Sequence, residues 1–441
     1  MIQANPLYEE PLTIAALAER ISLLSSQISS YISSNSLPEP GFGPDTKEVP
    51  ETAEYEALRA PLNDAALDLL RLVNGPKNTL QEMYFRHYDL AALQIALDRQ
   101  FFKHVPLASS SATPEVDNGS KASVFEIAEK AGMDVDRTGR VMKMLATHRI
   151  FAQVEDEDEE HETFEHTASS ALLARDPGIY AGADMQMDDM LKAASEAANA
   201  ISGSPYRSDA SHSAFHKRFG ATMYEYYEQR PDKARRFAQA MSSWSQYERQ
   251  FSELRSGFAW AGLNEGKVVD IGGGNGHVSV ALARSFPSLQ FVVQDISPHM
   301  LSQAEEDLGH RISFQKYDFF TPQPVQDASV FLLRQCLHNQ IDDAAIKIIR
   351  QVVPALERCG HGTPLLINDV ILPDSGTITK YEEHHLRQID FCMMSLLGAK
   401  QRTEKEFAAL IRKADERLEI VNVRKSTIGL GLIEVRLKVE G

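Results

Sequence analysis

The sequence predicts an α/β fold in two parts: a helical N-terminal half that ends in a winged helix, and a C-terminal half built on a parallel sheet with an antiparallel pair of strands at its edge. Two observations carry this prediction. Beyond residue 266, short β-branched and aromatic runs alternate with helical patterns, which is typical of a doubly wound sheet with helices on both faces. Before that point, two amphipathic helices are followed by a pair of extended segments. We therefore expect domains over 1–210 and 211–441.

The composition is that of a globular protein and argues against several classes of function. The chain has 441 residues, and its 62 acidic residues outnumber the 45 basic ones, which gives a net charge of −17. Such an acidic surface repels nucleic-acid backbones, so no nucleic-acid partner is expected. Three cysteines without CxxC spacing argue against a disulfide scaffold and favour a reducing compartment. The chain also lacks a signal-like start and the roughly 18 apolar residues needed to span a bilayer, so we expect a cytoplasmic protein with no membrane partner.

The N-terminal half is predicted to consist of helices separated by two loops. Apolar residues recur at helical spacing over 11–32, and a Ser-, Pro- and Gly-rich linker covers 33–56. Helical patterns resume over 61–75 and 80–103, and a second loop is expected over 106–121. The first helix is expected to lie on the surface or to face a partner.

The segment after the second loop predicts a helix, a turn and another helix. Ser123 caps the first helix and Glu126 completes a capping box, Gly132 ends the helix, and Asp136 is expected to cap the next one. Two short strands follow, near 150–155 and 162–167. They are joined by the acidic run EDEDEEHE, where a DNA-binding wing would need Lys or Arg. We therefore expect a structural winged helix inside an enzyme.

A stripe of large side chains follows in the helical region between 213 and 255. Its members recur at steps of three and four residues, as on one face of a helix: Phe215, Phe219, Met223, Tyr226 and Tyr227. Core packing explains such a stripe, and the wall of a substrate pocket is the alternative.

The elements beyond residue 266 alternate between strand and helix. Strands are expected at 267–271, 290–294, 311–317, 328–333 and 364–370, and helices at 276–286, 298–306 and 342–356. The last two strands, 418–424 and 430–438, are close enough to pair antiparallel at an edge. This order predicts a Rossmann-like domain.

The motif VVDIGGGNGH carries the strongest chemical signal. An apolar strand ends near Asp270, and Gly272, Gly273, Gly274 and Gly276 then open a helix. Glycines let the backbone approach a ligand closely and present N–H groups to it. The pattern is GxGxG and lacks the third glycine of the dinucleotide motif GxGxxG, while an acid precedes the loop. These details favour S-adenosylmethionine over NAD as the cofactor.

Two more acids follow successive strands and support the same cofactor. Asp295 ends the second strand, where a carboxylate can accept hydrogen bonds from both ribose hydroxyls of an adenosine. Asp318 follows the third strand and could accept from an adenine amino group, while Phe319 could cover the ring. The carboxyl ends of parallel strands meet at one edge, so these acids are expected beside the glycine loop.

Two residues at the same edge are candidates for catalysis. His338 follows the fourth strand and Asp369 ends the next one, so the carboxylate could fix the tautomer of the imidazole. His166, in the predicted wing, is either a buried structural histidine or a pocket residue. His384 and His385 lack partners at metal-ligand spacing and no HExxH motif is present, so we expect no metal.

From about residue 213 to 438 the chain resembles the fungal and plant family of S-adenosylmethionine-dependent small-molecule O-methyltransferases. The matching motifs are VVDIGGGNG, VVQD, YDFF, LLRQCLHNQIDD, LLINDVILP, RQIDFCMM and GAKQRTEKEF, in the family's order. The resemblance implies a homodimer formed through the N-terminal helices. It also implies that Arg334 lines the cofactor site, that His338 is the general base with Asp369 as its partner, and that three side chains face the acceptor. These are Phe219, Met223 and Met393.

The sequence departs from the family pattern around the base. The family usually has His-Asp-Trp where this chain has His338, Asn339 and Gln340, and a second catalytic Glu where this chain has Gln401. An alternative therefore stays open. Some fungal proteins of this type keep the cofactor bound but catalyse pericyclic or dehydration reactions of polyketide-derived intermediates without methyl transfer, with Arg334 and His166 as the residues of interest. A binding or regulatory protein without turnover is a third hypothesis.

Overall fold

A computed structural model describes residues 12–107, 120–154, 161–245, 248–297, 310–360, 362–426 and 429–438. It divides into two compact units. One contains the described residues up to Leu191 together with Gln239–Ser243, and the other contains Lys192–Ala238 and the described residues from Trp244 onward. A domain boundary after residue 210 stays a prediction. Among the described residues, no helix is both long and apolar enough to cross a membrane.

The first unit begins with a helix, α1 (Ile14–Ser34), followed by the 46-residue α2 (Ala53–Asp98) and the short α3 (Phe101–His104). The prediction of two helices over 61–75 and 80–103 is confirmed in its break, because two helical pieces meet at a kink after the first of these ranges, although the second piece ends at Asp98 and not at 103. Together the two pieces make up α2. It is interrupted at Gly75, whose φ of 66° and ψ of 171° are not helical. The Gly-Pro step breaks the backbone ladder, but the two helical pieces abut without a loop.

The next elements have the order strand, helix, helix, strand, strand. They are β1 (Lys121–Ser123), α4 (Val124–Ala131), α5 (Val135–Thr147), β2 (Phe151–Val154) and β3 (Thr163–His166). The strands form an antiparallel sheet in the order β1-β3-β2. Part of the predicted acidic run, 155–160, lies outside the described residues.

The capping predictions for α4 are confirmed, and the one for α5 is wrong. Ser123 and Glu126 form the capping box, and Gly132 ends α4 in the left-handed region with φ of 60°. The N-cap of α5 is Asp134, whose carboxylate accepts the N–H of Arg137 at 3.0 Å. Asp136 lies in the first turn, because the backbone leaves the extended region at Asp134, two residues earlier.

Short helices connect this region to the second half of the chain. They are α6 (Ala168–Arg175), α7 (Pro177–Met185), a π-helical turn (Gln186–Met190), α8 (Leu191–Ala194), α9 (Ala197–Gly203), a 3₁₀ turn (Ala210–His212), α10 (Ala214–Phe219), α11 (Met223–Glu228), α12 (Pro231–Ser245) and α13 (Glu248–Ser256). The predicted stripe lies on α10 and α11, and its aromatic side chains pack against one another. The ring centroids of Phe219 and Tyr226 are 4.7 Å apart, and those of Phe215 and Phe219 are 4.6 Å apart.

Seven strands form the sheet of the second unit, and they confirm the predicted parallel sheet with an antiparallel edge pair. They are β4 (Lys267–Ile271), β5 (Gln290–Asp295), β6 (Ile312–Lys316), β7 (Val330–Arg334), β8 (Leu365–Asp369), β11 (Leu418–Arg424) and β12 (Gly431–Leu437). Their order is β11-β12-β8-β7-β4-β5-β6, and β12 is antiparallel to both of its neighbours. The strands β9 (Ile371–Leu372) and β10 (Arg402–Thr403) pair separately and in parallel.

Helices cover both faces of this sheet. They include α14 (His277–Ser285), α15 (Asp342–Cys359) and α17 (Glu404–Ala414), whereas α16 (Lys380–Leu397) packs against α10. Successive strand residues point to opposite faces, so Val269 packs in the core formed with α15 and α17, while Val268 packs in the core formed with α13 and α14. The predicted helix at 298–306 lies outside the described residues.

Candidate active site

The glycine loop follows β4 at the carboxyl edge of the sheet. The N–H groups of Gly272 and Gly273 donate to the carbonyl of Gln294 at 2.8 and 3.0 Å, which ties the loop to β5. Gly272 has a φ of +72°, and a Cβ built there would lie 2.6 Å from the sulfur of Cys336. A Cβ on Gly276, with φ of +81°, would lie 2.9 Å from the ring of Phe314. The loop is therefore a backbone cradle that tolerates no side chain at these positions, as a nucleotide-binding loop requires.

Asp295, at the end of β5, is fixed by the loop that it faces. One carboxylate oxygen accepts the N–H of Gly274 at 3.0 Å, and the other accepts the N–H of Ser297 at 2.9 Å. Burial raises the pKa of this carboxyl, and the hydrogen bonds from backbone N–H groups oppose the rise. The carboxylate lies beside the cradle, which fits a ribose-binding role.

Asp318 and Phe319 follow β6 on the adjacent strand. A carboxylate oxygen of Asp318 accepts the N–H of Phe320 at 2.9 Å, which holds the turn in place. The ring of Phe319 lies 3.7 Å from the position that a Cβ on Gly272 would occupy. The structure thus brings an aromatic ring to the glycine loop, which suits an adenine-binding site.

A buried acid and a buried arginine lie beneath the loop. Asp270 is 1% exposed and accepts a hydrogen bond from the Ser279 hydroxyl at 2.7 Å. Burial raises the pKa of Asp270 to about 6, and the charge of Arg334 opposes the rise. Burial also lowers the pKa of Arg334 to about 10, although Asp270 and Asp369 favour its charged form. Arg334, at the end of β7, donates to the side chain of Asn368.

His277 follows the loop and is held neutral. Its Nδ1 lies 2.8 Å from the side-chain oxygen of Asn275. Burial, with a smaller contribution from the charge of Arg334, lowers the pKa of His277 from 6.5 to about 4. The pKa of His277 is lower in the folded chain than in the unfolded chain, so the unfolded chain binds a proton there first as the pH falls. The free energy of unfolding is therefore unaffected by His277 above pH 6.5 and decreases as the pH falls from 6.5 toward 4.

We expect His277→Gln to make the protein less sensitive to acid. When the pH is lowered from 7.5 to 5, the free energy of unfolding should decrease by about 2 kcal/mol more in the wild type than in the variant. Urea unfolding of both proteins at the two pH values measures this difference. The raised pKa values of Asp270 and Asp295 act in both proteins and cancel in the comparison. Equal losses in the two proteins would contradict the prediction.

His338 and Asp369 meet where β7 and β8 end. His338 lies in a 3₁₀ turn (Leu337–Asn339), and its Nδ1 is 3.2 Å from a carboxylate oxygen of Asp369. The other carboxylate oxygen accepts the backbone N–H of His338 at 3.1 Å, and Val370 N–H donates to the first oxygen at 3.0 Å. Asp369 is 1% exposed and His338 is 8% exposed. The carboxylate of Asp369 therefore contacts both the ring and the backbone N–H of His338, which fixes the orientation of the ring. This is the arrangement that the sequence predicts for a base and the acid that orients it.

Of two further residues beside His338, the family resemblance pointed to Gln401, and sequence reasoning missed Arg402. The amide nitrogen of Gln401 lies 3.1 Å from His338 Nδ1. The buried guanidinium of Arg402 donates to the carbonyls of Leu337 and Gln340 at 2.7 and 2.6 Å, so it pins both ends of the turn. The pairing of β9 with β10 brings this segment to the site, and the sequence signal for it was the motif GAKQRTEKEF in the family resemblance.

Tyr224 on α11 was also missed. Tyr224 is 51% exposed, and its phenol interacts with the Cys336 thiol and the Asp295 carboxyl beside the glycine loop. Burial, together with the nearby Cys336 thiol and Asp295 carboxyl, raises the pKa of Tyr224. This phenol therefore stays protonated at neutral pH and can donate a hydrogen bond at the edge of the predicted cofactor site.

Three of the four predicted substrate residues lie in the second unit, two of them on helices α10 and α11 and one on α16. The fourth, His166, lies in the first unit. Phe219 and the buried Met223 lie on α10 and α11, and α16, which carries Met393, contacts both α10 and the turn that holds His338. His166 belongs to the other unit, where its Nδ1 pairs with the Ser170 hydroxyl at 2.9 Å and its Nε2 with a backbone carbonyl at 3.0 Å. Burial lowers the pKa of His166.

Metal ligands are not clustered in the part of the chain that the structure describes. No group of three or more His, Cys, Asp or Glu side chains there could hold a metal ion.

Comparisons with known proteins match a family model to part of the chain and individual relatives to nearly all of it. Residues 203–415 match the O-methyltransferase domain family. The chain is 44% identical over 431 residues to the O-methyltransferase sol2 of Alternaria solani, covering 97% of this chain and 96% of that protein. It is 31% identical to the O-methyltransferase gsfB of Penicillium aethiopicum, covering 96% and 97%.

Solved structures share the fold. A pericyclic reaction enzyme superposes with a TM-score of 0.73 at 23% identity, covering 96% of this chain and all of that one. These matches confirm the predicted fold and enzyme class, and the family assignment confirms S-adenosylmethionine as the predicted cofactor. The chain belongs to the O-methyltransferase family.

Proposed function

We propose that this protein transfers the methyl group of S-adenosylmethionine to a hydroxyl group of a small secondary metabolite, with His338 as the general base. One observation carries the proposal. A buried imidazole, oriented by the buried carboxylate of Asp369 at 3.2 Å, lies at the same sheet edge as a side-chain-free glycine cradle. A base and a nucleotide-binding loop at one edge suit chemistry between a nucleoside cofactor and a second substrate.

The residues around the cradle fit this cofactor. Glycines 272, 273, 274 and 276 would hold it by backbone contact, Asp295 would bind the ribose hydroxyls, and Asp318 and Phe319 would bind the adenine. Arg334, buried beneath the loop, would fix the acids of the site. When bound, the cofactor supplies an activated methyl group on a sulfonium.

The protein's own contribution is position and proton removal. His338 would take at Nε2 the proton of an acceptor hydroxyl held beside it, and the imidazolium would then release that proton to water. The cofactor would supply the methyl group to the hydroxyl oxygen, and it would leave as S-adenosylhomocysteine once its carbon–sulfur bond breaks. Asp369 keeps Nδ1–H oriented and stabilises the imidazolium while it exists. Alignment of two reactants contributes about 7–11 kcal/mol as effective molarity. A general base contributes about 10²–10⁴-fold.

The acceptor is expected to lie against α10, α11 and α16. Phe219, Met223 and Met393 supply apolar surface there, which suits an aromatic or polyketide-like molecule. His166 stays a predicted substrate residue. Both its ring nitrogens are hydrogen-bonded within its own unit and the residue is 3% exposed, which favours the alternative of a buried structural histidine.

A second candidate is a pericyclic or dehydration reaction of a polyketide-derived intermediate without methyl transfer. The neutral amide of Gln401 beside His338 favours it, because this side chain is not a second carboxylate that would stabilise the imidazolium. The buried charge of Arg334 could polarise a substrate carbonyl in such a reaction. One of the similar solved structures is a pericyclic reaction enzyme, although at 23% identity this likeness concerns the fold.

We also propose a cytoplasmic homodimer that pairs through its N-terminal helices, with β1–β3, α4 and α5 as a structural winged helix. Apolar side chains on α1 and α2 are exposed in the single chain, and a partner would bury them. They include Leu23, Leu70, Val73, Leu80, Met83, Tyr84, Phe85 and Tyr88. Cys336, Cys359 and Cys392 are unpaired, which suits a reducing compartment.

Product stoichiometry tests the proposed function. We expect phenolic or enolic acceptors incubated with the protein and S-adenosylmethionine to give methylated product and S-adenosylhomocysteine in a one-to-one ratio, measured by mass spectrometry. An isomerised or dehydrated product that forms without S-adenosylhomocysteine would support the second candidate and overturn methyl transfer.

A further inference from the structure

Gln401 is a buried residue that the proposed mechanism leaves without a role. Its side chain is 2% exposed, and its backbone N–H donates to the carboxylate of Asp390 on α16 at 2.8 Å. This bond fixes the residue just before β10. Its side chain reaches the catalytic ring, with the amide nitrogen 3.1 Å from Nδ1 of His338. Gln401 therefore contacts the base from the side opposite the nitrogen that would take the substrate proton.

Of the two groups next to Nδ1, one is a hydrogen-bond acceptor and the other is a hydrogen-bond donor. Asp369 lies 3.2 Å away and, as a carboxylate, can only accept a hydrogen bond. The amide nitrogen of Gln401 can only donate one. A hydrogen on Nδ1 satisfies Asp369 and opposes the amide nitrogen, whereas a lone pair on Nδ1 does the reverse. Meanwhile the amide oxygen Oε1 is buried with no hydrogen-bond partner among the described residues.

The carboxylate of Asp369 determines that Nδ1 carries the hydrogen. Its carboxylate is anchored by the backbone N–H groups of His338 and Val370 at 3.1 and 3.0 Å, so it cannot turn away from the ring. A charge-assisted hydrogen bond to this carboxylate is stronger than a neutral one from an amide. The oxygen and nitrogen of an amide are similar in size, and half a turn about Cγ–Cδ exchanges them. That turn gives Oε1 a partner and removes the donor–donor contact.

We propose that Gln401 is a positioning residue that fixes the tautomer of His338: its amide oxygen and Asp369 share the hydrogen on Nδ1, which leaves the lone pair on Nε2. This inference rests on the proposed function in one respect, since Nε2 is the atom assigned there to take the substrate proton. The tautomer itself is a property of the protein without substrate.

The charged groups around the ring are compatible with this assignment. Arg334 comes from β7, Asp369 from β8, Asp390 from α16 and Arg402 from β10. Arg402 is bonded to backbone carbonyls of the turn and Asp390 to a backbone N–H, so neither competes for the ring. In the described part of the site, Asp369 is the charged group within hydrogen-bond distance of Nδ1.

Nitrogen-15 NMR of the full chain tests the proposal without turnover. Histidine is labelled, and the His338 signals are identified by their loss in His338→Gln. At a pH where the ring is neutral, we expect a protonated Nδ1 and an unprotonated Nε2 in the wild type. In Gln401→Leu, one acceptor is lost and the ratio of the Nδ1–H to the Nε2–H form should fall about fivefold. Gln401→Glu restores an acceptor and should restore the wild-type tautomer.

Two results would overturn the proposal: a proton on Nε2 in the wild type, or an unchanged ratio in Gln401→Leu. The wild-type measurement keeps the test decisive even if the leucine variant does not fold. Gln290→Leu, the same change at an exposed amide on β5, is the matched control and should leave the His338 signals unmoved. The expected tautomer together with no methylated product would reject the proposed function and retain the role of Gln401. Methyl transfer with the wrong tautomer would do the opposite.

Discussion

Gly272→Ala is expected to weaken the binding of S-adenosylhomocysteine about 100-fold, which corresponds to about 2.7 kcal/mol. The backbone at Gly272 has a φ of +72°, a region that costs a residue with a Cβ about 1–2 kcal/mol. The new Cβ would also lie 2.6 Å from the Cys336 sulfur, and Cys336 is buried with its thiol 3.3 Å from the Ile271 carbonyl. Because the thiol cannot retreat, the loop must move and its bonds to Gln294 must lengthen.

Calorimetric titration with S-adenosylhomocysteine measures the loss of affinity, and urea unfolding measures the loss of stability. Gly376→Ala is a matched control, because φ there is +75° and no heavy atom lies within 4 Å of the added Cβ. It carries the same backbone cost without the clash, and its affinity should match that of the wild type. A double variant, Gly272→Ala with Cys336→Ala, removes the sulfur and should recover part of the affinity. Wild-type affinity in Gly272→Ala would mean that this loop does not hold the cofactor.

The cofactor loop was predictable because its signals are local. An apolar strand, a run of glycines and a helix are all readable within VVDIGGGNGH, and the carboxyl ends of parallel strands meet at one edge in any such sheet. Asp295 and Asp318 could therefore be placed beside Gly272 without knowing the packing. The same rule put His338 and Asp369 together at the ends of β7 and β8, and their ring-to-carboxylate distance of 3.2 Å agrees with it.

The surroundings of His338 were not predictable, because they depend on tertiary pairing. Gln401 and Arg402 follow His338 by more than sixty positions, and they reach it because β9 and β10 pair beside α16. No local pattern indicates that a Gln would face an imidazole, and only the family resemblance pointed to position 401. The same limit applies to His166, one of whose partners is the carbonyl of Val105, 61 residues earlier.

Local signals located the break between the two helical pieces of α2 at Gly75, but they failed where two of them compete. At the start of α5, Asp134 and Asp136 are both suitable caps. The position at which the backbone leaves the extended region selected Asp134, and sequence alone does not specify that position.

His338→Ala is expected to lower the rate of methyl transfer about 10²–10⁴-fold while leaving the affinity for S-adenosylhomocysteine unchanged. That range corresponds to about 3–5 kcal/mol of transition-state stabilisation. The contribution of alignment stays in the variant, because the cradle and the acids at the ends of β5 and β6 are untouched. Steady-state kinetics with any acceptor that turns over gives the loss in kcat, and calorimetry gives the affinity.

Asp369→Asn distinguishes between two roles of His338, as a general base or as a structural residue. If Asp369 acts through His338, the single variant loses activity and the double variant His338→Ala/Asp369→Asn is no slower than His338→Ala alone. If the two residues act independently, their losses multiply. Asp374→Asn serves as the surface control, because its carboxylate makes only an exposed contact with Lys405 at 3.5 Å among the described residues. Multiplicative losses, or a His338→Ala variant that turns over at the wild-type rate, would show that the proton leaves by another route. The imidazole would then be a packing residue of the turn that Arg402 holds in place.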